Sequence, residues 1–99
     1  MAFGITRKEL NLWKRKVEKG EIAFITHYWV HPRYPQIKTV TKVGCADMDK
    51  LIAWGKKEGL DPEWIDPHPR YPHFDLISEW QRKILYKYRQ YDQIERFNI

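Results

Sequence analysis

The chain contains 99 residues with a mass of 12.1 kDa, and 18 Lys and Arg against 13 Asp and Glu give a net charge of +5. This length predicts a single domain over residues 1–99 and excludes a large multistep enzyme, while a hydrophobic fraction of 42% is ordinary for a globular protein. One cysteine excludes an internal disulfide framework and a zinc cluster built from cysteines.

The basic charge is concentrated in the N-terminal part of the chain. Residues 1–44 hold nine Lys and Arg and three Glu, whereas residues 45–99 hold nine Lys and Arg and ten Asp and Glu. This asymmetry favours an acidic partner, which can be a small ligand, a protein or a nucleic acid. The first residues lack an apolar stretch of signal-peptide length, so we expect a cytoplasmic protein that has no membrane partner.

The first predicted element is a helix that begins after Thr6. Thr6 and Glu9 have capping-box spacing, in which each side chain binds a backbone N–H at the helix start. Apolar residues recur at helical spacing up to Val17, and Gly20 can end the helix. Residues 21–30 are rich in β-branched and aromatic side chains and predict a strand. A proline-rich loop follows over residues 31–35, and residues 37–43 predict a second strand.

The second predicted helix covers residues 47–58. Asp47 suits its N-cap, and Gly59 followed by Leu60 predicts a Schellman-type end. The next elements are a short strand at Trp64 and Ile65, a second proline-rich loop over residues 66–72, and a strand over residues 73–76.

A third helix is predicted over residues 78–89. Ser78 and Gln81 have capping-box spacing at its start. Residues 93–99 fit either a helical turn or an edge strand, and their pattern does not distinguish the two.

Together these elements predict an α/β (α+β) fold in which three helices pack on a small mixed β-sheet. The predicted core consists of Leu10, Trp13, Val17, Phe24, Leu51, Ile52, Phe74, Leu76, Trp80 and Ile84.

The two proline-rich loops contain the same pentapeptide, His-Pro-Arg-Tyr-Pro, at residues 31–35 and 68–72. Each copy offers an imidazole, a guanidinium and a phenol between two prolines that restrict the backbone. Because both copies follow a Trp and a β-branched residue, we expect the loops to leave the same end of the sheet and to bind an anion between their arginines. The candidate ligand-binding residues are His31, Arg33, Tyr34, His68, Arg70 and Tyr71. The alternative is that the loops are rigid connectors with solvated side chains.

The histidines suggest a second site. Side chains alternate along a strand, so His27 and His31 share one face, as do His73 and Asp75. If these strands are neighbours, the four side chains converge as imidazole and carboxylate ligands for Zn, Mn or Fe. The candidate metal ligands are therefore His27, His31, His73 and Asp75. Apart from this alternative, no cofactor is expected.

Three short motifs carry a resemblance to known proteins. They are the Asp-x-x-x-Leu spacing of Asp47 and Leu51, the pair Gly59-Leu60, and the run His73-Phe74-Asp75-Leu76. With these motifs the chain resembles a family of small uncharacterised domains of Bacillus-type bacteria. The resemblance implies a bacterial α/β domain and brings no activity with it.

Two functions follow from these patterns. The first is a non-enzymatic binding or adaptor domain for an acidic ligand or partner. The second is a small metal-dependent hydrolase that acts through the four candidate metal ligands. The sequence favours the first, because no catalytic motif accompanies the basic and aromatic loops.

Overall fold

The structure is a computed structural model and describes residues 3–99. These residues form four α-helices and four β-strands, with one 3₁₀ turn at Pro62–Trp64. In chain order the elements are α1 (Arg7–Glu18), β1 (Ala23–Tyr28), β2 (Thr39–Gly44), α2 (Met48–Lys57), β3 (Ile65–Asp66), β4 (His73–Leu76), α3 (Ser78–Lys87) and α4 (Tyr91–Phe97). The prediction of three helices is therefore wrong by one, because the C-terminal tail forms α4.

The four strands make one sheet in the order β1-β2-β4-β3, and every neighbouring pair is antiparallel. The predicted mixed sheet is wrong. A mixed sheet needs parallel strands as neighbours. Strands β2 and β3, which α2 connects, run in the same direction, but β4 lies between them and is antiparallel to both. The predicted strands 21–30 and 37–43 contract to Ala23–Tyr28 and Thr39–Gly44, and Trp64 belongs to the 3₁₀ turn.

One face of the sheet carries the main core. Helix α2 packs there so closely that Gly55 lies against the ring of Phe74. The buried residues of this cluster are Val43, Cys45, Leu51, Trp54, Leu60, Phe74, Leu76 and Ile84. Of the predicted core, Trp13, Val17, Leu51, Phe74, Leu76 and Ile84 are buried, whereas Leu10, Phe24, Ile52 and Trp80 are partly buried.

A buried polar network docks α3 and α4 onto the same face. The Thr26 hydroxyl lies 2.7 Å from the Thr41 hydroxyl and donates to Gln93 Oε1 at 2.7 Å. Gln81 Nε2 donates to the Thr41 hydroxyl at 3.1 Å. Hydrogen bonds of this kind satisfy buried polar groups and define one position for each helix.

An ion pair between the buried Glu58 carboxylate and the exposed Lys87 joins the end of α2 to the end of α3. The Glu58 carboxylate accepts from Lys87 Nζ at 2.6 and 3.0 Å and from the Tyr88 hydroxyl at 2.5 Å. The Glu58 side chain is 1% exposed, so these donors replace its lost water.

The helix ends test the capping predictions directly. The capping box of Thr6 and Glu9 is present, and Asp47 accepts from the backbone N–H of Lys50. The Schellman end of α2 is also confirmed, since Leu60 N–H donates to the Gly55 carbonyl at 2.7 Å.

The capping box predicted at the start of α3 is wrong. The N-cap residue is Ile77, and no side chain caps it. Gln81 points instead into the buried network, where its Nε2 donates to the Thr41 hydroxyl. A buried polar group costs free energy unless it is hydrogen-bonded, so this contact is favoured over one at an exposed helix end.

The second face of the sheet is only partly covered. Helix α1 packs Trp13 and Val17 against Ala23 and Ile25 at one edge. We call the rest of this face the open face, because Lys42 and Asp75 reach the surface there although His27 and His73 are buried, and it carries the candidate site. Within residues 3–99, no helix combines the length and the apolar character that crossing a membrane requires.

Candidate functional site

A groove of about 500 Å³ crosses the open face of the sheet. We call it the sheet groove. It is lined by Leu10, Trp13, Lys14, His27, Trp29, Lys42, His68, Tyr71 and His73. Helix α1 and the second repeated loop form the walls, with Trp13 and Lys14 packed near Tyr71, and side chains of β1, β2 and β4 form the floor.

Strand register explains which side chains form the floor. Lys42 of β2 lies directly opposite Asp75 of β4, and Asp66 of β3 lies opposite His73 of β4. Residues that face each other across antiparallel strands point to the same side of the sheet. His73 and Asp75 are two residues apart and share that side as well. Four polar side chains are therefore placed together on the open face.

These four side chains contact one another, and we call them the floor network. Lys42 Nζ donates to Asp75 Oδ1 at 2.6 Å and lies 3.3 Å from His73 Nε2. His73 Nε2 lies 3.6 Å from Asp75 Oδ2 and 3.7 Å from Asp66 Oδ2. The His73 Nδ1–H group donates to the Tyr71 carbonyl at 2.7 Å, which fixes the orientation of the ring.

The floor network sets the protonation of its members. Burial alone would raise the pKa of Asp75, but the hydrogen bonds and charges of His73 and Lys42 outweigh it and hold that pKa at about 2. Burial also disfavours the charged form of His73, but the Asp75 carboxylate and the Tyr71 carbonyl outweigh it and raise the pKa of His73. At His27 burial dominates and lowers the pKa, so this ring is uncharged at neutral pH.

Aromatic rings form the walls of the sheet groove. The Trp13 ring lies 6.3 Å from both the Tyr71 ring and the His73 ring, measured between centroids. Its Nε1–H donates to the Ala23 carbonyl at 3.0 Å, which anchors the indole between α1 and the sheet. Lys14 Nζ lies 5.3 Å from the centroid of the Tyr71 ring, within the range of a cation–π contact. The walls thus combine stacking surfaces with a positive charge.

The two repeated loops lie at opposite ends of the sheet, so the prediction that they leave the same end is wrong. Tyr28 pairs with Thr39 at one end of β2, where the first loop follows. His73 pairs with Gly44 at the other end of β2, and the second loop precedes His73. Six residues of strand separate the ends by roughly 17 Å, too far for Arg33 and Arg70 to hold one small anion.

The repeated pentapeptide forms the same local turn in both places. His31 Nδ1 accepts the backbone N–H groups of Arg33 at 3.0 Å and Tyr34 at 3.1 Å. His68 Nδ1 likewise accepts from the two matching residues of its own loop, both at 3.1 Å. A nitrogen that accepts has no proton, so both rings are the tautomer protonated on Nε2. The histidine acts here as the cap of a tight turn.

The arginines of the repeat lie in different surroundings. Arg70 donates to Glu18 at 3.0 Å, and its guanidinium lies 5.3 Å from the Tyr71 ring centroid. Arg33 lies 6.0 Å from the Tyr34 ring centroid. The rings of His31 and Trp29 lie 5.2 Å apart, so the first loop meets the sheet groove through Trp29. The second loop contributes His68 and Tyr71 to the sheet groove directly.

Two of the four candidate metal ligands come together. Among residues 3–99, one group of potential ligand atoms lies within 4.8 Å of one another, and it consists of Asp66, His73 and Asp75. His27 lines the sheet groove without joining this group, and His31 uses Nδ1 within its own loop. The predicted convergence of all four residues is therefore wrong.

The sequence interpretation missed two members of the floor network. The sequence places Asp66 in a predicted loop and Lys42 in a predicted strand, and it assigns neither residue to a site. The alternation of Lys42 with buried Val43 was a usable signal, whereas the two-residue strand that holds Asp66 is too short to show any period.

The chain is 54% identical to a protein described as "Uncharacterized protein YneQ" of Bacillus subtilis (strain 168), over 99 residues that cover the whole of both chains. No protein-family model matches the chain, and no solved structure matches it. The similarity confirms the expected relation to small uncharacterised bacterial proteins. The correspondence of the three quoted motifs stays a prediction.

Proposed function

This chain belongs to the family of Bacillus subtilis YneQ, and we propose that it is a binding domain for an acidic ligand that carries planar rings. The ligand would lie in the sheet groove. One observation carries the proposal: aromatic rings and lysine ammonium groups line the same groove on the open face of the sheet. Nucleotides and single-stranded nucleic acid combine phosphate with planar bases, and they are the chemical class that fits.

The positive charge around the sheet groove supports an anionic ligand. Lys14 extends over the Tyr71 ring, and α1 contains five Lys and Arg against two Glu. Lys42 is bound to Asp75 on the floor, so Lys14 and the outer side of α1 would supply most of the attraction. Cations at a groove raise the local concentration of phosphate-bearing ligands and speed their association.

The aromatic side chains support stacking. Trp29 is 39% exposed and lies at one end of the sheet groove, while Tyr71 and Trp13 lie along its wall. Stacking of one base on an aromatic side chain contributes about 1–3 kcal/mol and tolerates any base. The proposed binding is therefore weakly selective for sequence.

Binding is better supported than hydrolysis. A metal-dependent hydrolase built as predicted needs His27 and His31 beside His73 and Asp75, but His27 lines the sheet groove without joining the ligand group and His31 caps its own loop. The cysteine thiol offers no nucleophile, since Cys45 is fully buried and burial raises its pKa.

The test is a titration of the purified protein with short single-stranded DNA and RNA, followed by tryptophan fluorescence and calorimetry. We expect Trp29→Ala and Lys14→Ala each to weaken binding about fivefold to tenfold, and added salt to weaken it further. Lys56→Ala is the matched control, because it removes the same charge from exposed α2 on the other face. Absence of binding, or equal weakening by the control, would overturn the proposal.

A further inference from the structure

We infer that Asp66, His73 and Asp75 form a site for a divalent cation of the zinc class, with Lys42 as a competing internal cation. His73 and Lys42 line the sheet groove, and the two carboxylates lie beside it at the surface. It does not rest on the proposed function, because the cation is tested without any other ligand. One nitrogen and two carboxylate oxygens, one from each residue, lie within 4.8 Å of one another.

The two separations from the His73 nitrogen to the carboxylates fit a shared metal ion, and the two carboxylate oxygens lie within 4.8 Å of each other. Zinc binds imidazole nitrogen and carboxylate oxygen at about 2.0–2.2 Å, so two ligands in tetrahedral arrangement lie about 3.3–3.6 Å apart. His73 Nε2 lies 3.6 Å from Asp75 Oδ2 and 3.7 Å from Asp66 Oδ2. These distances exceed a hydrogen bond and need to close by a few tenths of an ångström at most.

The orientation of His73 also suits a ligand. Its Nδ1–H group donates to the Tyr71 carbonyl at 2.7 Å, which directs Nε2 towards the two carboxylates, and a bound cation would take the place of the proton that they favour on Nε2. Metal-binding histidines commonly use this arrangement, since the second hydrogen bond fixes the tautomer and the ring orientation. His73 is 7% exposed, so packing holds the ring in place before a cation arrives.

Lys42 shows that the cluster accepts positive charge at this position. Its ammonium lies 2.6 Å from Asp75 Oδ1 and 3.3 Å from His73 Nε2, on the same side of the sheet. The side chain is 28% exposed and reaches the surface by a flexible stem, so it can move aside when a divalent cation binds. Removal of the ammonium should therefore strengthen metal binding.

The donor set favours zinc over magnesium. One imidazole and two carboxylates suit Zn²⁺, whereas Mg²⁺ prefers oxygen ligands and keeps most of its water. Three protein ligands also leave a position open to solvent, because Asp66 and Asp75 are both exposed at the surface. A fourth ligand would be water or a group on a bound molecule.

The experiment is calorimetric titration of the chelator-treated protein with Zn²⁺, with Mg²⁺ as the second cation and the absorption spectrum of Co²⁺ as a report on geometry. We expect one Zn²⁺ per chain, binding weakened about tenfold or more by Asp66→Asn, and binding strengthened by Lys42→Met. Asp66 is exposed, so its substitution should leave the thermal unfolding temperature unchanged.

Asp49→Asn on α2 is the matched control and should bind Zn²⁺ like the natural chain. Equal affinity of the Asp66→Asn protein and the natural chain would overturn the site, since other histidines would then hold the ion. Absence of stoichiometric binding to the natural chain would overturn it as well, even if Lys42→Met bound zinc. Because Zn²⁺ alone is the probe, this result is separate from nucleic-acid binding.

Discussion

Gly55→Ala should destabilise the protein although alanine is the better helix former. Gly55 lies inside α2, where alanine is favoured by about 1 kcal/mol. A Cβ at this position would lie 2.8 Å from Phe74 Cε2 and closer still to Phe74 Cζ. Carbon atoms pack at about 3.5–4.0 Å, so α2 would have to move away from the sheet or the ring would have to turn.

The Phe74 ring has no free space in which to turn. It is fully buried, and its centroid lies 6.0 Å from that of Trp54. Overpacking of this kind costs about 1–3 kcal/mol, and an overlap this large belongs at the upper end. After the gain in helix propensity, we expect a net loss of about 2 kcal/mol in the free energy of unfolding.

Urea unfolding, followed by circular dichroism and tryptophan fluorescence, measures this loss. Gly55→Ala should also cost less in a Phe74→Leu background, since the smaller side chain leaves room for the methyl group. Gly20→Ala is a useful comparison: it meets no atom within 4 Å, but its φ of +80° strains alanine by about 1 kcal/mol. The reasoning is refuted if Gly55→Ala is as stable as the natural chain, or if Phe74→Leu does not reduce its cost.

Three further predictions test other parts of the structure. His31→Leu should speed amide hydrogen exchange in its loop, because the two backbone N–H groups lose the Nδ1 acceptor. His31→Asn should keep part of the protection, and equal exchange in the two variants would contradict the capping role. Glu58→Gln should lower the free energy of unfolding by about 2 kcal/mol at neutral pH in urea unfolding, since it removes the charge by which the buried carboxylate binds Lys87. Burial raises the pKa of Glu58, but the hydrogen bonds from Lys87 and a tyrosine outweigh burial and lower that pKa. The stability difference between the variant and the natural chain should therefore have its full size above about pH 4.5 and should shrink as the pH falls through the folded-state pKa. Ser78→Ala should leave the thermal unfolding temperature unchanged and Gln81→Ala should lower it, whereas a capping box would make Ser78→Ala cost about 1 kcal/mol.

Several elements of this protein could be predicted because their signals are local. The capping box at Thr6 and the Schellman end at Gly59 involve residues a few positions apart, whose hydrogen bonds form within one turn of helix. The repeated pentapeptide is local in the same way. Its histidine binds N–H groups two and three residues later, so five residues suffice to specify the turn wherever it lies.

Most of the candidate site could not be predicted from local sequence, because its members come from separate strands. Lys42 and Asp75 are 33 residues apart and meet through the pairing of β2 with β4. Asp66 reaches His73 through a strand of only two residues, which carries no periodic signal. The metal prediction accordingly found His73 and Asp75, which are two residues apart on one strand, and failed for the ligands that strand order had to supply.

Local sequence therefore determined the caps, the turns and most of the helices, whereas tertiary structure decided where the two identical loops lie. Their common sequence gives the two loops one conformation. The first loop follows β1, which ends beside the start of β2, whereas the second loop precedes β4, which begins beside the end of β2. Strand order depends on the free energy gained when the sheet is buried under α2, α3 and α4. That free energy depends on the whole chain, so a segment of five residues cannot specify it. For the same reason the Gln81 side chain does not form the predicted helix cap: it is buried against the sheet, where its amide binds the hydroxyls of Thr39 and Thr41.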